Sequence, residues 1–383
     1  MRTAAITGAS KLLRLLLRGS GRLAGAARTG TEPSRILLLK PCCLGDVLLT
    51  TPLLAALRRG YPRAEITYAV GAWARPMVEG SEHVDAVITI PDRWTPGSIL
   101  AVARELRRRD FDAVFVPERS PIPGLVALLA HIPVRVGLDS RGRGFAYTHP
   151  VPVPQTVIHE ADLYLLLAKA MRLAPGERRL WFFPTPDDRR EAAELVAGLG
   201  GEGPLVVLHP GGGSNPGMVL ARKRWLPERW AAVADALWRE RGARILLVGS
   251  ADESAVAAAV SAAMEAPATI LTRRWRWGEL AAVIERAVLF LGHDTGMSML
   301  ANAVGTPLIA LFGPSDPQMY GPYGPYGRYI WRPTPPSPCF YEGAAPATCP
   351  CAGQCMRNIE PHDVLHVVDQ LLAHRENARS LEA

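Results

Sequence analysis

Residues 35–54 read RILLLKPCCLGDVLLTTPLL, in which one apolar run is interrupted at Pro41 and a second follows at once. The first run has the length of a buried strand, whereas the second continues over enough residues for a helix. A single carboxylate, Asp46, stands at the junction between them. The stretch therefore predicts a strand, a short loop and a helix, with one acid where the two elements meet.

The same alternation of short apolar runs and longer helical patterns continues along most of the chain. Alternation of this kind indicates parallel sheets whose two faces are covered by helices. Strands are predicted at residues 35–40, 65–71, 85–90, 112–116, 134–138, 204–209, 243–248, 268–272, 288–292 and 307–312. Helices are predicted at residues 46–60, 97–109, 227–241, 251–264, 278–286 and 295–304, among others. The fold class is therefore α/β, with two doubly wound domains.

The chain has 383 residues, of which 48% are hydrophobic, and this length favours two domains over one. A stretch rich in proline and charge, residues 174–188, is predicted to connect them. After residue 313 Pro, Gly and Tyr become frequent, so irregular structure is expected there, and a last helix begins at Pro361. Ligands of doubly wound sheets bind beyond the carboxyl ends of the strands, so an interdomain cleft is the expected site.

The basic charge of the chain comes from its first thirty residues. The 43 Lys and Arg exceed the 36 Asp and Glu by seven, and this segment contributes six cations and no acid. Without it the excess is one (37 minus 36), so nucleic-acid binding is not implied. Lys11, Arg14, Arg18 and Arg22 recur at helical spacing opposite leucines, which predicts an amphipathic helix on an anionic membrane surface. A frayed basic extension is the alternative, because glycines interrupt the helix pattern.

Asp46 has two interpretations. It opens a predicted helix, so it could be an N-cap, which stabilises a helix by about 1 kcal/mol. A carboxylate beyond the end of a buried strand could instead face the ligand cleft, where apolar surroundings raise its pKa and suit it to act as a general base.

Two further stretches follow predicted strands and carry residues suited to phosphate. Residues 209–230 begin HPGGGS, where Gly211, Gly212 and Gly213 allow close backbone approach, Ser214 offers a hydroxyl, and Lys223 or Arg222 can meet a phosphate. The spacing matches neither a Walker loop nor a dinucleotide fingerprint. In residues 291–317, Asp294-Thr295-Gly296 marks a strand end and a helix start, where amides and the helix dipole favour an anion. Asp294 could also be only a cap.

Six cysteines occur, and we expect them to be reduced because no secretory signal is recognised. Cys42 and Cys43 lie in the opening stretch and have no assigned role. The others form the pattern C-x9-C-x-C-x3-C near the C-terminus, at Cys339, Cys349, Cys351 and Cys355. Four thiolates could bind zinc or an iron–sulfur cluster, although the spacing fits no familiar zinc ribbon.

Four stretches together resemble the motifs of the heptosyltransferase-type glycosyltransferases, glycosyltransferase family 9, in the order of that family. They are ILLLKPCCLGDVLLTTPLLAALRRGYP, HPGGGS with KRWLPERWAAVADAL, LLVGSADE, and DTGMSMLANAVGTPLIALFGPSDP with GPYG, and they cover most of residues 34–370. The resemblance implies a GT-B architecture of two Rossmann-like domains facing a cleft. The implied parts are a basic arm at 1–33, an acceptor-binding domain at 34–180, a nucleotide-sugar domain at 187–345, and a Cys-containing loop with a final helix crossing back to the first domain at 346–383.

The resemblance also implies an activity: metal-independent, inverting transfer of a sugar from a nucleoside-diphosphate sugar, typically ADP-heptose, to a lipopolysaccharide-core or other glycolipid acceptor. No cofactor is expected. The acceptor and the basic arm imply an enzyme of the cytoplasm that is peripheral on the inner face of the cytoplasmic membrane.

The resemblance also implies site residues, by matching positions of this sequence to the motifs of the family. Asp46 matches the catalytic base of the family, and Leu44 and Gly45 form its acceptor-side loop. Residues on the donor side are Ser214, Lys223, Asp294, Thr295, Gly296 and Met297, with Trp277, or alternatively Trp275, near the adenine. Met299 stands where the family often has histidine, and the segment between Ser214 and Lys223 looks longer than usual; both departures from the family pattern touch the implied donor pocket.

Two other functions remain open at this point. A non-catalytic relative would bind a nucleotide sugar or glycan without turnover, and an intact Asp46 argues mildly against it. A GT-B-type nucleotide-sugar epimerase would convert the donor without any acceptor. The basic arm favours a membrane-bound acceptor over both.

Overall fold

The structure is a computed structural model, and it describes residues 32–340 and 346–382, apart from residues 213, 216, 217, 220 and 347. Side chains at residues 213–220 and from residue 374 onward are not part of this description. The predicted amphipathic helix of the arm lies outside the described residues, as does the side chain of Ser214.

The chain divides into two compact units between Glu177 and Arg178. This division falls inside the stretch 174–188 that the sequence predicts as a connection. A parallel sheet with flanking helices forms the centre of each unit.

The first unit contains six parallel strands in the order β3-β2-β1-β4-β5-β6. The strands are β1 Arg35–Leu39, β2 Glu65–Gly71, β3 Ala86–Ile90, β4 Ala113–Val116, β5 Val134–Asp139 and β6 His149–Pro152. The α-helices are Leu44–Leu49, Thr51–Gly60, Pro96–Arg108, Pro121–Leu129 and Glu160–Ala170, with 3₁₀ turns at Arg75–Met77 and Gly144–Ala146. This is the strand order of a Rossmann sheet.

The second unit repeats that order with the strands β11-β10-β7-β12-β13-β14, all parallel. Its strands are β7 Leu205–Leu208, β10 Arg244–Gly249, β11 Ala268–Thr272, β12 Leu289–His293, β13 Leu308–Phe312 and β14 Gly327–Trp331, with a small antiparallel pair at β8 Ser214–Asn215 and β9 Met218–Val219. The α-helices are Pro186–Gly198, Pro227–Arg241, Ser254–Ala263, Trp277–Glu285, Gly296–Ala303, Pro317–Tyr320, Gln354–Arg357 and Pro361–Glu382, with 3₁₀ turns at Ala221–Lys223 and Ala251–Glu253.

The apolar runs of the sequence become strands because both faces of each sheet are covered. In β1, Leu37 and Leu39 enter a core cluster on one face, and Leu38 on the other face is equally inaccessible. Alternate side chains of a strand point to opposite faces, so a strand buried on both sides must be apolar throughout. The α/β class and the two Rossmann-like sheets predicted from the sequence are confirmed.

Three parts of the secondary-structure prediction are wrong. The stretch after residue 313 is not wholly irregular, because Gly327–Trp331 pairs with β13, gains backbone hydrogen bonds there and forms the edge of the sheet. Strand β6 was missed because it contains two prolines, which an edge strand tolerates. The predicted helix 46–60 is two helices divided at Thr50, whose hydroxyl donates to the carbonyl of Val47.

The last helix begins at Pro361, as the sequence predicts. Its buried residues Val364, Val368 and Leu371 join the core of the second unit, together with Trp230 of the helix Pro227–Arg241. That this helix also crosses back to the first unit stays a prediction.

Candidate functional site

The strand orders place a candidate site in each unit. In the first sheet the order reverses between β1 and β4, and in the second it reverses between β7 and β12. Loops on either side of such a point run in opposite directions and leave a crevice at the carboxyl ends of the strands. The loops after these four strands are therefore where ligand-binding side chains are expected.

Three charged side chains meet at the crevice of the first unit. Lys40 directly follows β1, and its Nζ lies 3.1 Å from Oε2 of Glu118, which follows β4. The same Nζ lies 3.8 Å from Oδ2 of Asp46 and donates to the hydroxyl of Tyr164 at 3.4 Å. Residues from three separate stretches thus surround one buried ammonium group.

The charges of this cluster follow from its contacts. Burial disfavours the charged form of Lys40, but Glu118 and Asp46 outweigh burial and raise its pKa. Burial also disfavours the carboxylate of Glu118, yet Lys40 and the backbone amides of Ser120 and Arg119 lower its pKa. Both groups are therefore ionised at neutral pH.

Asp46 differs from these two groups. Desolvation raises the pKa of its carboxyl, while Lys40 acts in the opposite direction. Its side chain nevertheless keeps 39% of its surface exposed, so neighbouring protein atoms remove much of its water without closing it off. A reachable carboxylate with a raised pKa can accept a proton.

The N-cap interpretation of Asp46 is wrong. The helix Leu44–Leu49 has Cys43 at its N-cap, and Asp46 lies in the first turn. Leu44, in the same turn, is buried, and Gly45 beside Asp46 is partly exposed. The carboxylate of Asp46 thus stands near the positive end of the helix dipole without capping it.

Cys42 and Cys43 form a disulfide in the loop that precedes this helix. The expectation that all six cysteines are reduced is therefore wrong for this pair.

A lysine and an aspartate also meet in the second unit. Lys223 Nζ lies 2.6 Å from Oδ2 of Asp294 and donates to the Asp294 carbonyl at 3.0 Å. Ser315 donates its hydroxyl to the same carboxylate, and the ring of Phe340 lies 5.0 Å from the ammonium. The structure thus joins two residues that lie 71 positions apart in the sequence.

The helix Gly296–Ala303 begins directly beside this ion pair. Its N-cap is Thr295, whose hydroxyl accepts a hydrogen bond from the Ser298 amide at 3.4 Å, so the interpretation of Asp294 as a cap is wrong. Gly296 and Met297 occupy the first turn, where backbone N–H groups have no partner within the helix. Such amides, with the helix dipole, suit an anion.

Two buried histidines near this site were not predicted. His293 ends β12, and its Nε2 accepts a hydrogen bond from the Trp225 amide at 2.9 Å. Burial lowers the pKa of His293 well below its ordinary value, so the ring is neutral. His209 follows β7, with its Nε2 3.3 Å from Oε2 of Glu253. A histidine at the end of a buried strand is the sequence signal that could have identified both.

Two glycines of the HPGGGS stretch, Gly211 and Gly212, are needed for the fold of this loop. A Cβ on Gly211 would lie 2.1 Å from Oε1 of Glu253, and Gly212 has φ +81°. Only glycine fits such positions without strain. Close approach to a ligand, which the sequence suggested for them, therefore stays a prediction.

The two tryptophans of the predicted adenine region take different positions. Trp277 is the first residue of the helix Trp277–Glu285 and is partly exposed. Trp275 donates its indole N–H to the carbonyl of Gly249, the last residue of β10, and Arg273 lies over its ring. Met299, at the position where the sequence departs from the family pattern, is buried in the helix that Thr295 caps.

The four C-terminal cysteines are free thiols. Sγ of Cys351 lies 3.9 Å from that of Cys349 and 3.7 Å from that of Cys355. Within the described parts of the chain, no three His, Cys, Asp or Glu side chains are arranged to hold a metal ion. Metal binding by these four cysteines stays an alternative prediction. Across the same residues, no helix is long and apolar enough to cross a membrane.

Two Rossmann-like units, each with polar residues at its switch point, define the GT-B class. The profile of glycosyltransferase family 9 (heptosyltransferase) matches residues 99–347, which is more than half of the chain. The chain therefore belongs to glycosyltransferase family 9 and is a glycosyltransferase, as the resemblance implied.

Similar proteins agree with this assignment. The chain is 28% identical over 306 residues to lipopolysaccharide heptosyltransferase 3 of Escherichia coli K12, covering 75% of this chain and 85% of that protein. Among solved structures, a family 9 glycosyltransferase from Veillonella parvula has a TM-score of 0.73 at 25% identity, covering 89% of this chain and 97% of that one. E. coli ADP-heptose lps heptosyltransferase II has a TM-score of 0.71 at 23% identity, covering 89% and 99%.

Proposed function

We propose that this enzyme transfers a heptose from ADP-heptose to a lipopolysaccharide-core acceptor, with inversion at the anomeric carbon. The printed names of its relatives support this substrate pair, because they are lipopolysaccharide heptosyltransferases, and one solved neighbour is an ADP-heptose enzyme. The observation that carries the chemistry is the partly exposed carboxylate of Asp46, whose pKa is raised by desolvation at the switch point of the first unit.

The donor binds to the second unit in this proposal. Lys223 and the amides of Thr295, Gly296 and Met297 meet the diphosphate, and Asp294 contacts a sugar hydroxyl. Support comes from the pairing of Lys223 with Asp294 beside a helix start that favours anions. The Ser214 hydroxyl adds a donor to the phosphates, and Trp277 borders the adenine.

The acceptor binds to the first unit, beside Leu44 and Gly45. Asp46 takes the proton from an acceptor hydroxyl as that oxygen forms a bond to the anomeric carbon. The bond from this carbon to the diphosphate oxygen breaks on the opposite face, which inverts the configuration. The electron pair leaves with ADP, whose charge is stabilised by Lys223 and the helix amides, without a metal ion on the diphosphate.

The enzyme acts in the cytoplasm at the inner face of the cytoplasmic membrane, with its basic arm on anionic lipid. Six cations and no acid in the first thirty residues support this location. Each cation near such a surface contributes about 1 kcal/mol. Deleting residues 1–30 should reduce sedimentation with anionic liposomes, more so at low salt. Equal binding with and without the arm would reject the membrane role.

The substrate pair is tested by incubating the enzyme with ADP-heptose and a heptose-free lipopolysaccharide acceptor. ADP release should require both substrates, and the acceptor should gain one heptose mass. Conversion of ADP-heptose without acceptor would instead indicate an epimerase. Donor binding with no turnover, under conditions where a known heptosyltransferase is active, would indicate a non-catalytic protein.

The donor alone can be tested by thermal unfolding with a panel of nucleotide sugars. A ligand that binds only the folded state raises the apparent stability, by about 2.7 kcal/mol at a hundredfold excess over its Kd. ADP-heptose should give the largest shift. A larger shift with a uridine- or guanosine-based sugar would change the proposed donor without affecting the family assignment.

A further inference from the structure

We propose that Lys40 is a positioning residue for Asp46, and that Glu118 determines how strongly Lys40 acts on it. The ammonium of Lys40 lies 3.1 Å from Glu118 and 3.8 Å from Asp46, so it serves one carboxylate closely and the other at longer range. This inference rests on the proposed role of Asp46 as the base. It adds the two residues that set the pH range in which that base is free to accept a proton.

The Lys40 side chain is held in place, unlike most lysines. It is only 4% exposed, and its ammonium contacts Glu118 and the Tyr164 hydroxyl. Glu118 is itself fixed by the backbone amides of Arg119, at 2.8 Å, and Ser120, at 3.2 Å. An ammonium on a flexible four-carbon stem would otherwise sample many positions. Here the loop after β4 and the helix Glu160–Ala170 both fix its distance to Asp46.

The unequal sharing of Lys40 has a chemical consequence. An opposite charge in close contact lowers a carboxyl pKa by one to three units, and it leaves a weaker base. Glu118 holds the ammonium nearer to itself. Lys40 therefore orients the carboxylate of Asp46 but lowers its pKa only in part. The pKa of Asp46 accordingly stays above its ordinary value, because desolvation outweighs Lys40.

Other charged groups near Asp46 act in opposite senses. Glu160 raises its pKa and Arg119 lowers it, and these two residues are paired with each other, with Arg119 Nη1 2.9 Å from Oε2 of Glu160. Tyr164, facing from the same helix as Glu160, and Tyr68 are neutral, since burial raises the pKa of both phenols. Lys40 and Glu118 therefore form a second oppositely charged pair that acts on Asp46, with Lys40 lowering its pKa and Glu118 raising it.

Replacing Lys40 and replacing Glu118 should shift the pH profile of kcat/KM in opposite directions. Lys40→Met removes the cation that favours ionised Asp46, so the pKa of Asp46 rises. The acid limb of the pH profile of kcat/KM then moves to higher pH. Glu118→Gln removes a carboxylate that raises the pKa of Asp46 and releases Lys40 toward it, so the limb moves to lower pH. We expect a displacement of about one pH unit in each case, from the effect of a charge at 4–6 Å.

The experiment is the pH dependence of kcat/KM for ADP-heptose with a lipopolysaccharide acceptor, measured for both variants and for Lys40→Met combined with Glu118→Gln. The double variant loses both charges, so its limb should lie between those of the single variants. Glu79→Gln, which removes an exposed carboxylate paired with Arg75, is the control and should leave the limb unchanged. ADP affinity should stay within about twofold in all variants, because the donor residues belong to the second unit.

Shifts in the same direction, or rate losses with an unmoved limb, would show that Lys40 and Glu118 are only structural. If Lys40→Met does not fold, as judged by circular dichroism, the downward shift in Glu118→Gln still decides the question. Failure of the proposed function is recognised separately by an active Asp46→Asn variant. An inactive Asp46→Asn variant together with unmoved limbs would reject this inference alone.

Discussion

One lysine and one aspartate lie at the switch point of each unit, and the two pairs differ in closeness. In the second unit, Lys223 and Asp294 are 2.6 Å apart and both side chains are nearly buried. In the first, Lys40 and Asp46 are 3.8 Å apart, and Asp46 is 39% exposed. The same two residue types at the switch points of two Rossmann sheets therefore have different environments.

The difference in distance and exposure between the two pairs indicates how one fold can support two roles. A carboxylate in close contact with a lysine fixes the position of that lysine, which suits a site that holds a ligand. A carboxylate whose lysine is shared with a second acid remains a better proton acceptor. In our proposal the first unit supplies the base and the second unit the charge that stabilises ADP, and each pair can be tested against the other.

The largest expected effect is that of Asp46→Asn. Loss of general-base catalysis should lower kcat by about 10² to 10⁴-fold, while ADP binding, measured by calorimetry, stays unchanged. The matched variant in the other pair is Asp294→Asn, which should weaken donor binding. If Asp46→Asn transfers heptose at a rate close to the wild type, the base lies elsewhere and the contrast between the pairs has no catalytic meaning.

Lys223→Met should have the next largest effect, and it should fall on donor binding. A hydrogen bond to a charged group contributes about 1.5–3 kcal/mol, so ADP affinity should fall by about 10- to 150-fold. Lys169→Met is the control, because that lysine is exposed at the end of the helix Glu160–Ala170 and should bind ADP normally. ADP affinity equal to the wild type in Lys223→Met would exclude this lysine from the phosphate site.

The sequence predicted the strands of both sheets well, including the edge strands β3 and β11, but missed the opposite edge strands β6 and β14. Inner strands are buried on both faces and are mainly apolar, whereas β6 contains prolines and β14 follows a stretch rich in Pro, Gly and Tyr. The edge position supplies hydrogen bonds that no local pattern reveals. Edge strands that lack an apolar run are therefore the strands that the sequence does not reveal.

For the site, the sequence identified Asp46, Lys223 and Asp294 as separate candidates. It could not show that each aspartate has a lysine beside it. Lys40 lies within the opening stretch but reads as the end of a strand, and Glu118 becomes significant only once β4 lies next to β1. Such contacts depend on strand order, which motifs alone do not determine.

The smallest effect concerns two threonines that cap helices in the two units. Thr95 accepts a hydrogen bond from the Ser98 amide at 3.1 Å within a capping box, and Thr295 accepts one from the Ser298 amide at 3.4 Å. Replacing a threonine cap with alanine costs about 1 kcal/mol, which corresponds to about 2–4 °C in the unfolding temperature of a unit of this size. Because the hydrogen bond to Thr295 is the longer one, Thr295→Ala should lower the free energy of unfolding less than Thr95→Ala does.

ADP binding should rank the two variants in the opposite order, with Thr295→Ala affected more than Thr95→Ala. Thr95→Ala should leave ADP affinity unchanged, because Thr95 caps the helix Pro96–Arg108 of the first unit. Thr295→Ala should weaken ADP binding, because its N-cap hydroxyl and first-turn amides face the proposed diphosphate site, and Thr295→Ser should restore both properties. Calorimetric unfolding and ADP titration of the same preparations separate the two effects. Equal ADP affinity in Thr295→Ala and Thr95→Ala would leave Thr295 as a helix cap only, and the anion site would then rest on Lys223 alone.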